Sequence, residues 1–225
     1  RLFAKKARKV CVAFRQSGEK IENSNMIVTG NPVRKGIEKG EKSRGLIKFN
    51  FKNSFKTIFL FGGSQGSSYL NGIMCKVIKN LSNASIQVLW QTGEQDYVKY
   101  SNMESNNVRI LPFINNMADA YSISDLLICR SGALTLAEIT ICGKPALLIP
   151  YPHAAGDHQT KNAMSLVDKS AAILIKDHQT DQLISKAMNL LEDEKLLHTI
   201  SKNARLLGKP NATKDIVKQI FNLNI

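Results

Sequence analysis

Apolar and polar positions along this chain follow two alternating periods. Short runs in which nearly every residue is apolar mark buried strands at 56–61, 86–90, 108–112, 125–129, 145–149 and 171–175. Between them lie stretches with helical spacing. The clearest is 67–81, where Leu70, Ile73, Met74, Val77, Ile78 and Leu81 fall on one face. Further helices are predicted at 94–101, 117–122, 134–142 and 159–167, and then three in succession at 181–191, 194–207 and 213–221. Gly143 stops the helix at 134–142, and Pro150 ends the strand before it. Strands alternating with helices predict parallel βαβ units. The expected fold class is therefore α/β, a Rossmann-like parallel sheet with flanking helices.

The first quarter of the chain does not share this rhythm. Residues 2–7 read as the end of a helix and 9–14 as a strand, with the next strong strand some 45 residues on. Met26-Ile27-Val28 is a short apolar strand, Thr29-Gly30-Asn31-Pro32 has turn chemistry, and residues 26–45 as a whole read as a connection. The pattern is entered midway at Arg1, so the expectation is the C-terminal part of a longer protein. Residues 1–30 would be the remnant of a preceding domain, 31–45 an interdomain connection, and 46–225 the main domain. No internal repeat or long low-complexity segment interrupts it.

Charge sharpens this division. The formal net charge is +13, yet residues 1–56 carry 15 Lys/Arg against 4 Asp/Glu, while residues 57–225 carry 16 against 14. The excess belongs to the N-terminal quarter. It reads as a solvated lysine-rich face, or as attraction to an anionic membrane surface or anionic substrate. Nucleic acid ranks behind both, because no DNA- or RNA-reading motif accompanies the charge. With 43% apolar residues the chain can bury a core, and no apolar run reaches the roughly 18 residues a membrane span needs. Cys11, Cys75, Cys129 and Cys142 lack metal-type spacing and read as reduced, buried thiols of a cytoplasmic protein.

Candidate chemistry gathers where strands pass into helices. Gly62-Gly63-Ser64-Gln65-Gly66 allows a tight turn and close backbone approach, and Ser64 can donate to a phosphate oxygen. It is not a full dinucleotide fingerprint, so a dehydrogenase reading is weak. In Arg130-Ser131-Gly132-Ala133-Leu134-Thr135 the small residues leave room for a diphosphate at a helix N-terminus. Glu138 follows on the same helix. It either complements the helix dipole or accepts hydrogen bonds from ribose hydroxyls. Gln159 and Asn162, three apart on one helical face, suit sugar hydroxyls, with Asp157 as the expected cap of that helix. His153 and His158 lack a third partner for a metal. Phe113-Ile114-Asn115-Asn116-Met117 ends another strand, where a main-chain N–H and C=O could meet a pyrimidine edge or simply form a loop and an N-cap.

The order of these motifs carries a resemblance. Asn31-Pro32-Val33-Arg34, the glycine turn at 62–66, Phe113-Ile114 with Met117, the run 130–135 with Glu138, and Pro152-His153 with Asp157-His158-Gln159 and Asn162-Ala163 resemble the MurG family. These are bacterial UDP-N-acetylglucosamine transferases of peptidoglycan synthesis with a GT-B fold. The resemblance covers essentially the whole chain. It implies that residues 46–225 are the C-terminal UDP-sugar-binding domain of a GT-B fold, with the last helix packing back toward the N-terminal domain.

For the site it implies that Arg34 and Ser64 contact the donor diphosphate and that Ile114 holds uracil through its backbone. Ala133, Leu134 and Thr135 would line the phosphate and ribose region, Glu138 would bind ribose, and Gln159 would bind the N-acetylglucosamine hydroxyls. Gly63, Gln65, Gly132 and Asn162 line the same surfaces. No cofactor or metal is implied. The implied partners are UDP-N-acetylglucosamine, a lipid I acceptor and the cytoplasmic face of an anionic membrane, with no nucleic acid.

Two departures from the family pattern stand out. Asn115-Asn116 replaces a paired acidic signal, and the family's N-terminal glycine-rich loop with its histidine is not in this sequence. Two other readings use the same cradle: another GT-B enzyme or UDP-sugar epimerase, and a nucleotide-sugar-binding subunit with a separate partner chain.

Overall fold

The computed structural model describes residues 3–15, 25–82 and 85–223. Part of the helix end expected at 2–7 lies outside these residues; what is described there is a single 3-10 turn, Ala4–Lys6. Strands β1 (Val10–Val12) and β2 (Met26–Val28) pair in parallel, with Val10 opposite Met26. The neighbour of the first strand is therefore the short apolar run at 26–28, much nearer than the sequence pattern led one to expect.

The chain then enters helix α1 (Lys42–Phe49), which the sequence pattern does not announce. Its charge and its central Gly45 argue against a helix. Packing explains the glycine: a Cβ there would lie 2.5 Å from Ile123 Cγ2 and 2.8 Å from the Asp119 carbonyl. The close crossing of a second helix outweighs the local propensity.

The main domain follows as β3 (Lys56–Phe61), α2 (Ser68–Ser82), β4 (Ile86–Gln91), α3 (Glu94–Tyr100), β5 (Val108–Leu111) and α4 (Met117–Ile123). Next come β6 (Leu126–Cys129), α5 (Ala133–Cys142), β7 (Ala146–Leu148), α6 (His158–Val167) and β8 (Ile173–Leu174). Helices α7 (Leu183–Glu192), α8 (Glu194–Leu207) and α9 (Ala212–Phe221) close the described chain. The last strand is only two residues long, shorter than its apolar run suggests.

All six strands of the main sheet are parallel, in the order β5-β4-β3-β6-β7-β8. This is the doubly wound arrangement, whose direction of winding reverses between β3 and β6. Alternation along β3 feeds two cores. Phe59 and Phe61 join Tyr121, Leu136 and Leu166 on one face, and Ile58 and Leu60 join Leu70, Met74 and Leu183 on the other. Every residue of β4 is buried, as a strand covered on both faces should be.

Cys129 and Cys142 are buried and Cys75 half-buried, but Cys11 is exposed, so the expectation of buried thiols fails there. Burial pushes the Cys142 thiol up to about 12 and that of Cys129 higher still. The residues flanking helix α9 lie against the first quarter of the chain. The site where a Gly30 Cβ would sit is 2.5 Å from Lys209 Cβ, and Arg8 donates to the Leu223 carbonyl at 3.3 Å. Among the described residues, no helix is long and apolar enough to cross a membrane.

Candidate active site at the sheet reversal

Phe61 and Cys129 are paired across β3 and β6, so the runs beginning at Gly62 and Arg130 leave the sheet side by side. In an open parallel sheet the crevice forms at this place, outside the carboxyl ends of the strands where winding reverses. The two walls are built by different means.

The first wall is backbone. The Gly66 N–H donates to the Gly63 carbonyl at 3.2 Å and closes a turn ahead of α2. At Gly66, φ is +80° and a Cβ would sit 1.9 Å from the Thr92 carbonyl oxygen, so only glycine fits. At Gly63, φ is +102° but nothing lies within 4 Å, which leaves its surface open to a ligand. Ser64 and Gln65 are exposed at the tip of the turn. Behind it, fully buried Asn71 donates to the Thr92 carbonyl at 2.8 Å and to Asp96 at 2.7 Å, and accepts from Trp90 Nε1 at 2.8 Å. That network fixes the start of α2 against the end of β4.

The second wall is made of side chains. Gly132 caps α5 without a side-chain bond, so the opening amides of Ala133, Leu134 and Thr135 lack intrahelical acceptors and face the crevice end of the helix. Ser131 Oγ donates to the Gln159 carbonyl at 2.9 Å, tying the α5 run to α6. Gln159 Oε1 accepts from the Tyr151 N–H at 2.9 Å. Arg130 is buried, donates to the Ile149 and Pro150 carbonyls at 3.1 and 2.8 Å, and lies between the rings of Tyr69 and Tyr151.

Glu138 sits under this wall at 3% exposure. Its Oε2 accepts from the Tyr121 hydroxyl at 2.9 Å. Arg34 Nε approaches its Oε1 to 3.3 Å, close enough for an ion pair but without hydrogen-bond geometry, so among the described residues the buried Oε1 has no hydrogen-bond donor. Burial holds the Glu138 carboxyl above its ordinary value, against the opposing pull of the Tyr121 hydroxyl and the Arg34 charge. Arg34 and Glu138, two motif residues far apart in the sequence, thus meet directly.

Three expectations change in detail. Asn162 is buried and donates its amide to the Ser131 carbonyl at 3.3 Å; it braces the wall and does not present its amide beside Gln159. Asp157 precedes α6 in the left-handed region (φ +53°) and makes no side-chain cap bond. The Ile114 N–H, expected to be open to a base, is donated to Gln91 Oε1 at 2.9 Å. Asn116 does cap α4, accepting from the Asp119 N–H.

Gln91 and Tyr121, which bond to the candidate-site residues Gly63, Ile114 and Glu138, were not singled out by the sequence. A polar residue at the end of a wholly buried strand was the available signal for Gln91. Tyr121 carried none.

Residues 57–220 match the glycosyltransferase family 28 C-terminal domain. A Cytophaga hutchinsonii protein named UDP-N-acetylglucosamine--N-acetylmuramyl-(pentapeptide) pyrophosphoryl-undecaprenol N-acetylglucosamine transferase is 38% identical over 98% of this chain and 61% of its own length. A Flavobacterium psychrophilum protein of the same name is 40% identical over 99% of this chain and 62% of its own length. The chain thus spans about three-fifths of the relatives it matches. The crystal structure of Acinetobacter baumannii MurG superposes with a TM-score of 0.76 at 31% identity, covering 98% of this chain and 63% of that one. A UDP-GlcNAc 2-epimerase from Neisseria meningitidis, at 16% identity, 98% and 63% coverage and a TM-score of 0.66, shares the fold alone. With the crevice at the sheet reversal and the family match spanning most of its length, the chain belongs to the glycosyltransferase family 28 C-terminal domain family, with the parallel sheet and flanking helices of a GT-B glycosyltransferase.

Proposed function

We propose that this chain is the donor-binding part of an inverting N-acetylglucosaminyltransferase. The whole protein moves N-acetylglucosamine from UDP-N-acetylglucosamine to undecaprenyl-pyrophosphoryl-N-acetylmuramyl-pentapeptide, as the names of its relatives indicate for them. The observation that carries the donor reading is Glu138 Oε1, a buried carboxylate oxygen with no hydrogen-bond donor among the described residues. Such an atom is costly unless a ligand supplies one. Ribose hydroxyls do so.

Around that anchor the other groups take consistent places. The open amides at Ala133, Leu134 and Thr135 and the positive end of α5 receive the diphosphate, with Ser64 and the bare surface of Gly63 opposite. Arg34, already beside Glu138, is within reach of the same anion. Gln159 takes the sugar hydroxyls and the main chain at Ile114 the uracil. In the transfer step, the acceptor hydroxyl attacks the anomeric carbon from the face opposite the diphosphate. The bond from that carbon to the UDP oxygen breaks, and UDP leaves with the electron pair. Helix amides and Arg34 stabilise the charge gathering on the leaving group. The hydroxyl proton passes to a base outside this chain.

The division at residues 1–30, 31–45 and 46–225 belongs to the same proposal; α1 straddles its last boundary. The basic N-terminal quarter supports a peripheral station on the inner face of an anionic membrane. Binding to acidic-lipid vesicles that weakens with salt is the expected behaviour.

The decisive measurement is calorimetric titration of the chain with UDP, UDP-N-acetylglucosamine and ADP. The uridine ligands are expected to bind and ADP not, with no sugar transfer by this chain alone. Absence of UDP binding, or turnover without any further segment, overturns the proposal.

A further inference from the structure

Strand β4 is buried along its whole length and ends on a polar residue, Gln91, at 2% exposure. A buried primary amide must find partners for both its ends. Gln91 finds them in two different loops. Its Nε2 donates to the Gly63 carbonyl at 2.8 Å, and its Oε1 accepts from the Ile114 N–H at 2.9 Å. Because β4 lies between β3 and β5 in the sheet, one side chain spans the loops that leave the strands on either side of it.

We infer that Gln91 is the positioning residue that couples the phosphate-holding turn to the base-reading main chain and so sets the preference for uracil. This rests on the UDP reading above. The Gly63 carbonyl is held from two sides, by the Gly66 N–H at 3.2 Å within the turn and by Gln91 Nε2 at 2.8 Å from β4, so Gln91 is a tie between that turn and the strand beside it. At Ile114, the N–H is committed to Gln91 and the carbonyl is the main-chain group left to meet a base. Uracil offers N3–H to an acceptor. Cytosine offers no hydrogen at N3. Releasing the Ile114 N–H would supply a donor that cytosine N3 can accept, and discrimination would narrow. Near-isosteric replacements separate the two bonds: glutamate keeps the acceptor and loses the donor, and methionine loses both.

These differences separate a positioning role from a merely structural one. In titrations of the full chain with UDP and CDP, Gln91→Met is expected to weaken UDP about tenfold, the usual scale for leaving buried partners unmade, and to lower the UDP-to-CDP affinity ratio. Gln91→Glu retains the bond from Ile114 and places a carboxylate against the Gly63 carbonyl. It is expected to weaken UDP and CDP together and keep the ratio. An unchanged ratio in Gln91→Met overturns the inference, as does equal narrowing in both variants. If Gln91→Met does not fold, Gln91→Glu decides alone: a collapsed ratio there overturns it, a kept ratio with weaker binding supports it. Failure of the unsubstituted chain to bind UDP sinks the donor reading itself. UDP binding with unaffected Gln91 variants sinks only the positioning role.

Discussion

Two carboxylates of this domain are almost closed to solvent and are treated in opposite ways. Asp119, 1% exposed near the start of α4, is saturated with donors. Arg44 grips both its oxygens at 2.8 and 2.6 Å, the Glu41 N–H reaches it at 3.3 Å, and Asn116 Nδ2 at 2.6 Å. Glu138 on α5 has one hydroxyl, one cation out of hydrogen-bond geometry, and an oxygen left bare. The Arg44 bond, ahead of the opposing cost of burial, holds the Asp119 carboxyl below its ordinary value, whereas burial holds Glu138 above it. A structural carboxylate is completed by the fold. Glu138, the carboxylate proposed to bind a ligand, is left incomplete, and the fold carries the cost.

The largest effect should come from breaking the saturated site. Asp119→Ala leaves the Glu41 N–H and the Asn116 amide without their acceptor and unfastens α1 from α4. A stability loss of about 2 kcal/mol is expected in denaturant titration, since Arg44 itself is half exposed and its charge is screened. A loss no larger than that of an ordinary surface substitution would remove the structural half of the contrast.

Next in size is the effect on binding at the incomplete site. Glu138→Gln keeps the shape, removes the buried charge and leaves Tyr121 an oxygen to bond. Stability is expected to stay within about 1 kcal/mol of the parent or to rise, while UDP affinity falls about tenfold. Thermal melts and calorimetry on the same preparation test both halves. A destabilised variant with unchanged UDP affinity would make Glu138 structural, like Asp119.

The sequence made the sheet legible because strands buried on both faces are nearly continuous apolar runs. Helix α8, with its strong apolar stripe, emerges at its actual bounds, 194–207. Helix α1 stayed hidden because Gly45 and its charges obey the packing of α4 rather than local preference. The two walls of the crevice were legible for a related reason: strands fed into glycine-rich turns and small-residue helix starts, and a parallel sheet puts those on one edge. What joins the walls was not. The meeting of Arg34 with Glu138, the span of Gln91 from Gly63 to Ile114, and the burial of Asn162 depend on distances between segments. A linear pattern does not encode these.

The smallest effect, and the one that most sharpens the contrast, is the response to acid. Asp119 has a folded value below its unfolded one, so its contribution is present above the ordinary carboxylate range, about pH 4, and is lost as pH falls through the lowered value. Glu138 has the opposite sign. Its raised folded value favours the protonated form, so its contribution is present below the ordinary glutamate value and lost as pH rises through the raised one. Mild acidification from neutrality therefore protonates Glu138 first, relieving the buried charge while depriving ribose of its acceptor. Between neutral pH and about pH 4.5, the stability advantage of Glu138→Gln over the parent should shrink and the parent's affinity for UDP should approach that of the variant. Comparing the two proteins at each pH cancels the ionisation of UDP. The stability gap between the parent and Asp119→Asn should hold steady over that window and close only at more acid pH. Parallel behaviour of the two gaps would mean that the carboxylates are not, after all, treated differently.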